Sequence, residues 1–447
     1  MTEDNGDVMK KFKVFNSTIK ELWQMFIVLV VPIICVTGGT AIPYTLRLPL
    51  TYIVAATTMF IIVFSNVTIR VNKLIFMGLA LVVYIGVSIL YSYDVQSTVY
   101  YFWLYLCYFT LLFIDLPDDY YRKIISICYV ICAVIAFSIL ISTVIDNCML
   151  NYFWFITNPS RSPAVAQQIL DELKNGAYSG FAGEKGEAAY IMNVGIAIVF
   201  AKYFSQNKVT KVDIGMLIIF ILALMLTGKR LLFVIMVVAF ALFMMISNVK
   251  SKFFKVLCVL LLVLFGLFFV IMFLPKVSNI FTRFLDSENL ETMSGREELW
   301  DYLYLMIDEF PVFGGGMGSY NAYAYDHGLW DERWMFNGHN SYLQVLAELG
   351  IVGAAIFALF VILAFAYTIK AIKKFESDKN ILYICYFSLY IQVLLVVYSL
   401  TGNPVYTRQI MFLWFFSVGC VQHIYRRYVP IARPGRFVNI RKGRVYE

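Results

Sequence analysis

Apolar runs of spanning length, separated by short polar connections, recur along almost the whole chain. At a rise of roughly 1.5 Å per residue such runs cross a hydrocarbon core of roughly 30 Å. The pattern predicts about twelve transmembrane helices. They run from Leu22 to Ile42, Leu48 to Phe64, Leu74 to Tyr91, Thr98 to Ile114, Ile124 to Ile145, Glu187 to Phe204, Val212 to Thr227, Leu231 to Ser247, Phe254 to Leu274, Ser341 to Tyr367, Ile381 to Leu400 and Met411 to His423. Pro32, with Gly38 and Gly39, predicts a kink in the first. The fold class is an all-α polytopic integral membrane protein, with no internal repeat. Residues 1–274 carry nine helices and a polar loop at 146–186, residues 275–340 form a large extracytoplasmic loop, residues 341–423 carry three more helices, and residues 424–447 form a basic tail.

The large loop holds the most informative stretch, Ser294 to Gly353, where polar and apolar positions change period. Ser294 and Glu297 form a capping box, and Leu299, Trp300, Leu303, Met306, Ile307 and Phe310 recur at helical spacing on one face. This predicts an amphipathic helix lying along the loop. Pro311 and the glycines Gly314, Gly315, Gly316 and Gly318 end it. Asn337-Gly338-His339-Asn340 then leads directly into the apolar run from Ser341, so Arg296 opens one helix and His339 stands where another begins.

Charge sets the expected orientation. Cytoplasmic loops carry the Lys/Arg excess, and placing both termini inside assigns most of the 36 Lys and Arg to that side. Both long polar loops then face outward, and a site built on them faces outward too. The net charge of +7 therefore reflects topology and lipid headgroups, with no nucleic-acid partner; the basic tail from Arg426 to Arg444 follows a span directly. Of the eight cysteines seven fall inside apolar runs and Cys148 at the edge of one, so they read as small buried residues. No spacing suggests a metal site. The first apolar run is long and lacks a small-residue cleavage site, which predicts an uncleaved helix.

Some polar residues run against this pattern. Lys229-Arg230 sits in a short outward turn, where orientation alone would favour no basic residue. Snorkelling to headgroups accounts for Lys229 as readily as function does, whereas Arg230 suits bidentate phosphate pairing. His339, at a helix start, is disfavoured as imidazolium by the positive helix end. A neutral ring able to accept a proton is expected there. Glu348 lies nine residues on, roughly 13 Å along a continuous helix and about half a turn away, which favours pairing with a buried cation or with helix ends. Gly350 and Gly353 fit close helix packing. In the earlier outward loop, Glu184 and Glu187 either cap the next helix or bind sugar hydroxyls, and Arg283 is a further outward cation.

Arg296 with Trp300, the P-x-x-G-x-G-x-G of Pro311 to Gly318, and His339-Asn340 followed by Glu348-x-Gly350-x-x-Gly353 together resemble the signature region of the O-antigen polymerase and O-antigen ligase superfamily. The resemblance covers about sixty residues closely and the remainder as a helix count. It implies a cytoplasmic-membrane glycosyltransferase, working on the outer face, that joins undecaprenyl-diphosphate-linked oligosaccharide repeat units into a surface polysaccharide. It also implies that Arg230, at the equivalent turn, helps to hold the lipid diphosphate. Lys229 stands where a small residue is usual, so either cation of the pair is a candidate.

Outside the membrane a transferred glycan must arrive already activated, and a polyprenyl diphosphate does this. Arg230 and Arg296 suit its charge, and His339 suits activation of an acceptor hydroxyl. Lys229, Asn340, Trp300, Arg283 and Glu348 are the further substrate-binding candidates. No metal or cofactor is needed. The implied partners are the glycan donor and acceptor, membrane lipids, a polysaccharide flippase and a chain-length regulator. Ligase-type transfer to a lipid or protein acceptor is the alternative activity. A lipid-oligosaccharide flippase is the non-enzymatic one, which internal repeats and cations deep in many spans would favour.

Overall fold

In a computed structural model, described for residues 3–37, 44–64, 71–158, 161–205, 209–247, 296–329 and 337–428, the chain is helical, with no strand among the described residues. The helices are α1 (Glu3–Val36), α2 (Tyr44–Phe64), α3 (Lys73–Ser88), α4 (Val95–Thr110), α5 (Asp118–Val144), the short α6 (Cys148–Asn151) and α7 (Trp154–Thr157), α8 (Pro163–Lys174), α9 (Lys185–Phe204), α10 (Lys211–Leu226) and α11 (Arg230–Ile246). After the undescribed residues 248–295 come α12 (Arg296–Glu309), α13 (Tyr320–Asp326), α14 (Ser341–Lys374), α15 (Lys379–Tyr398) and α16 (Arg408–Tyr428). Local chemistry sets many of the starts. Asn72 and Asp94 accept hydrogen bonds from the first turns of α3 and α4, and Thr210 and Asp213 form a capping box on α10.

Six of these helices are long and apolar enough to cross a membrane: Thr18–Val36 in α1, Leu46–Phe64 in α2, α5, α9, α14 and α15. The protein is therefore a multi-pass membrane protein. The sequence pattern predicts about twelve spans; the expected runs from Leu74, Thr98, Val212, Leu231 and Met411 also form helices, α3, α4, α10, α11 and α16, which do not meet the same length and apolarity. α3 and α11 are apolar but short. The run from Thr98 belongs to α4, which gives way at Leu111 to a 3₁₀ turn. The expected span from Phe254 to Leu274 lies outside the described residues.

The core is organised around α9 and α15, whose residues are buried on nearly every side. Helices apolar all round belong in such positions. They pack against each other and between α5, α10, α11, α14 and α16. One polar link sits inside: Asn193 donates to the carbonyls of Ala189 and Leu232 (3.0 Å each) and accepts from the Tyr390 hydroxyl at 2.7 Å. All its hydrogen-bonding groups are used, which is what burial of an amide requires. The cysteines of the described residues are free and buried, Cys148 included.

α14 departs from the continuous helix expected from Ser341. At Gly350 the backbone leaves helical geometry, with φ +63° and ψ −176°, and the helix resumes beyond it. The break frees backbone groups that a membrane cannot satisfy. The segment from Pro311 to Gly316 satisfies them. Gly315 and Gly316 donate to the carbonyls of Ala347 (3.1 Å) and Glu348 (2.8 Å), while Ile351 and Val352 donate to those of Pro311 (3.0 Å) and Val312 (3.3 Å). The Tyr84 hydroxyl donates to the Leu349 carbonyl at 2.8 Å. Two backbones cross here without room for side chains. A β-carbon at Gly314 would lie 2.4 Å from the Glu348 carbonyl, and one at Gly350 would lie 2.3 Å from the Val312 oxygen. The glycine loop is thus half of a helix–loop clasp, and no phosphate cradle is needed to explain it.

Candidate functional site

The amphipathic helix forms as α12, and its expected face is the buried one. Leu299, Leu303 and Met306 are buried, and Trp300, Ile307 and Phe310 pack around them with Tyr320, Tyr323 and Ala347. Burying such a stripe fixes the helix against α13 and the first half of α14. Arg296 opens α12 and is half-buried. Ser294 of the expected capping box and Arg283 lie outside the described residues.

Docking of α12 places Trp300 against the segment before α14. Its indole N–H donates to the Gly338 carbonyl at 2.9 Å. Asn340 is the N-cap of α14, its side chain accepting from the N–H groups of Tyr342 (3.1 Å) and Leu343 (3.2 Å). Asn340 thus closes the helix end. His339, immediately before it, is half-buried and adopts φ +49°, in the left-handed region that a β-carbon disfavours. Ser341 ties this corner to the α15–α16 connection, donating from its N–H to Ser399 (2.9 Å) and from its hydroxyl to Gly402 (3.0 Å).

The cations converge on this corner. Burial, with Arg296 and then Lys229 adding positive field, pushes His339 down to about 4. The ring is neutral at neutral pH. Lys229, the residue before α11, is itself pulled below the usual lysine range by burial and by Lys185 and Arg296; Glu184 and Glu172 oppose that pull. Burial lowers Arg296 as well. Lys229, Arg296 and His339, far apart in the chain, therefore share one electrostatic neighbourhood. Arg230 adjoins Lys229 as the first residue of α11 and is half-buried. Among the described residues no group of three His, Cys, Asp or Glu side chains is placed to hold a metal ion.

Glu348 is fully buried, and its carboxylate meets donors instead of a cation. Oε2 accepts from the Gly318 N–H and the Tyr406 hydroxyl (2.7 Å each), and Oε1 from the Tyr320 N–H at 3.2 Å and the Gln344 amide at 3.0 Å. A carboxylate can satisfy that many donors where an amide cannot. Glu184 accepts from the Gly186 N–H at 3.1 Å as the N-cap of α9, which decides for capping. Glu187 belongs elsewhere. It lies 3.7 Å from the guanidinium of Arg47, and both contact Gln409, at 2.7 and 3.0 Å. His327 stacks on Tyr323, and His423 lies between Asp115 (2.9 Å) and Asp118 (3.5 Å). His339 alone of the three histidines stands among the clustered cations.

Three participants give no signal in the sequence. Arg47 interrupts the start of an apolar run, but its partner Gln409 is 362 positions away. Tyr406 and Gln344 look like ordinary polar residues near helix ends until the fold carries them to Glu348.

An all-α multi-pass membrane protein with a cationic, histidine-bearing corner at one helix start is the class that fold and site define. Residues 215–358, from within α10 to the middle of α14, match the family model described as O-Antigen ligase. No curated protein matches the chain.

Proposed function

We propose that the chain is a glycosyltransferase that polymerises undecaprenyl-diphosphate-linked oligosaccharide repeat units on the outer face of the cytoplasmic membrane, with both termini inside. The observation that carries this reading is the gathering of Lys229 and Arg296 around a neutral His339. Two cations suit a diphosphate, and a neutral imidazole suits removal of a proton.

The acceptor hydroxyl oxygen attacks the anomeric carbon of the donor. The bond from that carbon to the diphosphate oxygen breaks, and its electron pair leaves with undecaprenyl diphosphate. The hydroxyl proton passes to the His339 ring. Lys229, Arg230 and Arg296 stabilise the charge that grows on the leaving diphosphate, while Asn340 and Trp300 hold the helix start that presents His339. A base near 4, held there first by burial, is weak; a bound diphosphate offsets the part of the shift that Arg296 and Lys229 supply, and so raises His339.

The matched family is described as a ligase, which favours transfer of the finished glycan to a lipid or protein acceptor as a second reading. Purified full-length protein incubated with a defined undecaprenyl-diphosphate repeat unit decides between them. A product ladder supports polymerisation, a single transfer only when a lipid or protein acceptor is added supports ligation, and transbilayer movement without any new glycosidic bond would sink both.

A further inference from the structure

We propose that Gln344 and Glu348 form a positioning relay that locks Gly338, the residue before His339, to the glycine loop. The catalytic part of the proposal rests on His339 being the base.

Gln344 and Glu348 lie one turn apart on the buried face of α14, 1% and 0% exposed. Gln344 works in both directions. Its Oε1 accepts from the Gly338 N–H at 3.0 Å, and its Nε2 donates to Asn337 at 3.2 Å and to Glu348 at 3.0 Å. The Gly338 carbonyl is held from the other side by Trp300. Gly338, the residue preceding His339, is therefore gripped at its N–H by α14 and at its carbonyl by α12, the helix that carries Arg296. That grip explains how a residue with a β-carbon keeps a φ of +49°. Such a conformation persists where its surroundings over-determine it, and it tends to mark functional sites.

Glu348 extends the grip. While Oε1 holds Gln344, Oε2 holds the Gly318 N–H and the Tyr406 hydroxyl, tying the glycine loop and the α15–α16 connection to the same carboxylate. Neither side chain needs to touch substrate. They act through His339, and a small displacement of a catalytic group is enough to cost about a hundredfold in rate.

The test uses full-length protein in lipid nanodiscs, as wild type, Gln344→Leu, Glu348→Gln and the double variant. Hydrogen exchange over residues 337–343 is read alongside turnover of an undecaprenyl-diphosphate-linked repeat unit. The expected result for Gln344→Leu is faster exchange in that segment and a kcat lower by about a hundredfold, with the KM for donor within about twofold. The double variant should be no worse than the worse single, because both substitutions cut one chain of contacts. Should Gln344→Leu fail to fold, Gln344→Glu keeps an acceptor for Gly338 but sets a second carboxylate against Glu348, and the same changes are expected. Unchanged exchange, or a kcat within about twofold of wild type, overturns the relay. Faster exchange in a protein whose wild type transfers no glycan leaves the grip standing and removes the catalytic reading of His339.

Discussion

His339 connects the local electrostatics to a pH profile. Held at about 4 in the free protein by burial, Arg296 and Lys229, it should give kcat/KM an acid limb near that value instead of near the usual histidine range. Activity is full above the limb and falls as pH drops through it, because protonation removes the acceptor of the hydroxyl proton. If the proposed donor binds beside it, the limb of kcat should lie higher by the part of the shift that Arg296 and Lys229 supply, while the part due to burial stays. Arg296→Gln should raise the kcat/KM limb while weakening donor binding; a limb that stays put when that cation is gone would detach Arg296 from His339. A second expectation concerns shape rather than charge. Arg230→Lys and Arg296→Lys should each weaken undecaprenyl diphosphate binding about tenfold, because a point charge cannot reproduce a bidentate fork. Unchanged affinity in both variants would end the clamp. The Lys229-Arg230 pair stood out in the sequence because it breaks the charge pattern, and Arg296 and His339 because the resembling signature runs through them at the start of two helices. Gln344 and Tyr406 were not, because their roles exist only once the fold brings Glu348 to them.

The clasp of α14 by the glycine loop governs the elements. Alanine at Gly350 would be forced to a φ of +63° against the Val312 oxygen, a backbone cost of about 1–3 kcal/mol before the clash is counted. Gly215, inside α10, faces open space, and alanine there should be neutral or stabilising by up to about 1 kcal/mol. Thermal unfolding in detergent should show a clear drop in apparent Tm for Gly350→Ala and none for Gly215→Ala. Equal midpoints would mean that the crossing carries no strain. The amphipathic face of α12 was readable because its period is local. The break in α14 was not. An apolar run with a glycine in it reads as a helix, and the carbonyls of Pro311 and Val312, the N–H groups of Gly315 and Gly316 and the Tyr84 hydroxyl, all supplied by other elements, make an interruption tolerable.

The whole molecule is expected to stand in the membrane with α12 and α13 outside, from the distribution of its Lys and Arg residues. The buried state of the native cysteines among the described residues makes this testable with single added thiols. Asp301→Cys on α12 should react with an impermeant maleimide in intact cells, and Ser377→Cys between α14 and α15 only after lysis; both positions are exposed. Labelling with the opposite sidedness would put the proposed site on the wrong face. Helix content and membrane class were evident from hydropathy alone. The number of spans is less plain, because apolar runs such as those of α3 and α11 fold as helices of 16 and 17 residues, shorter than the six that are long enough to cross.

The break in α14 also fixes a height. From Ile351 to Ile369, ahead of Lys370, Lys373 and Lys374, the helix runs about 19 residues, roughly 28 Å, which is close to a hydrocarbon core of roughly 30 Å. The half from Ser341 to Leu349 is therefore surplus to crossing and is free to stand among the headgroups. In the proposed orientation Gly350 would stand near the membrane surface. His339, at the far end of that half, would then stand near the level of the diphosphate of the proposed polyprenyl donor while its tail stays in the bilayer, so the lipid would not have to be drawn out for its anomeric carbon to be reached.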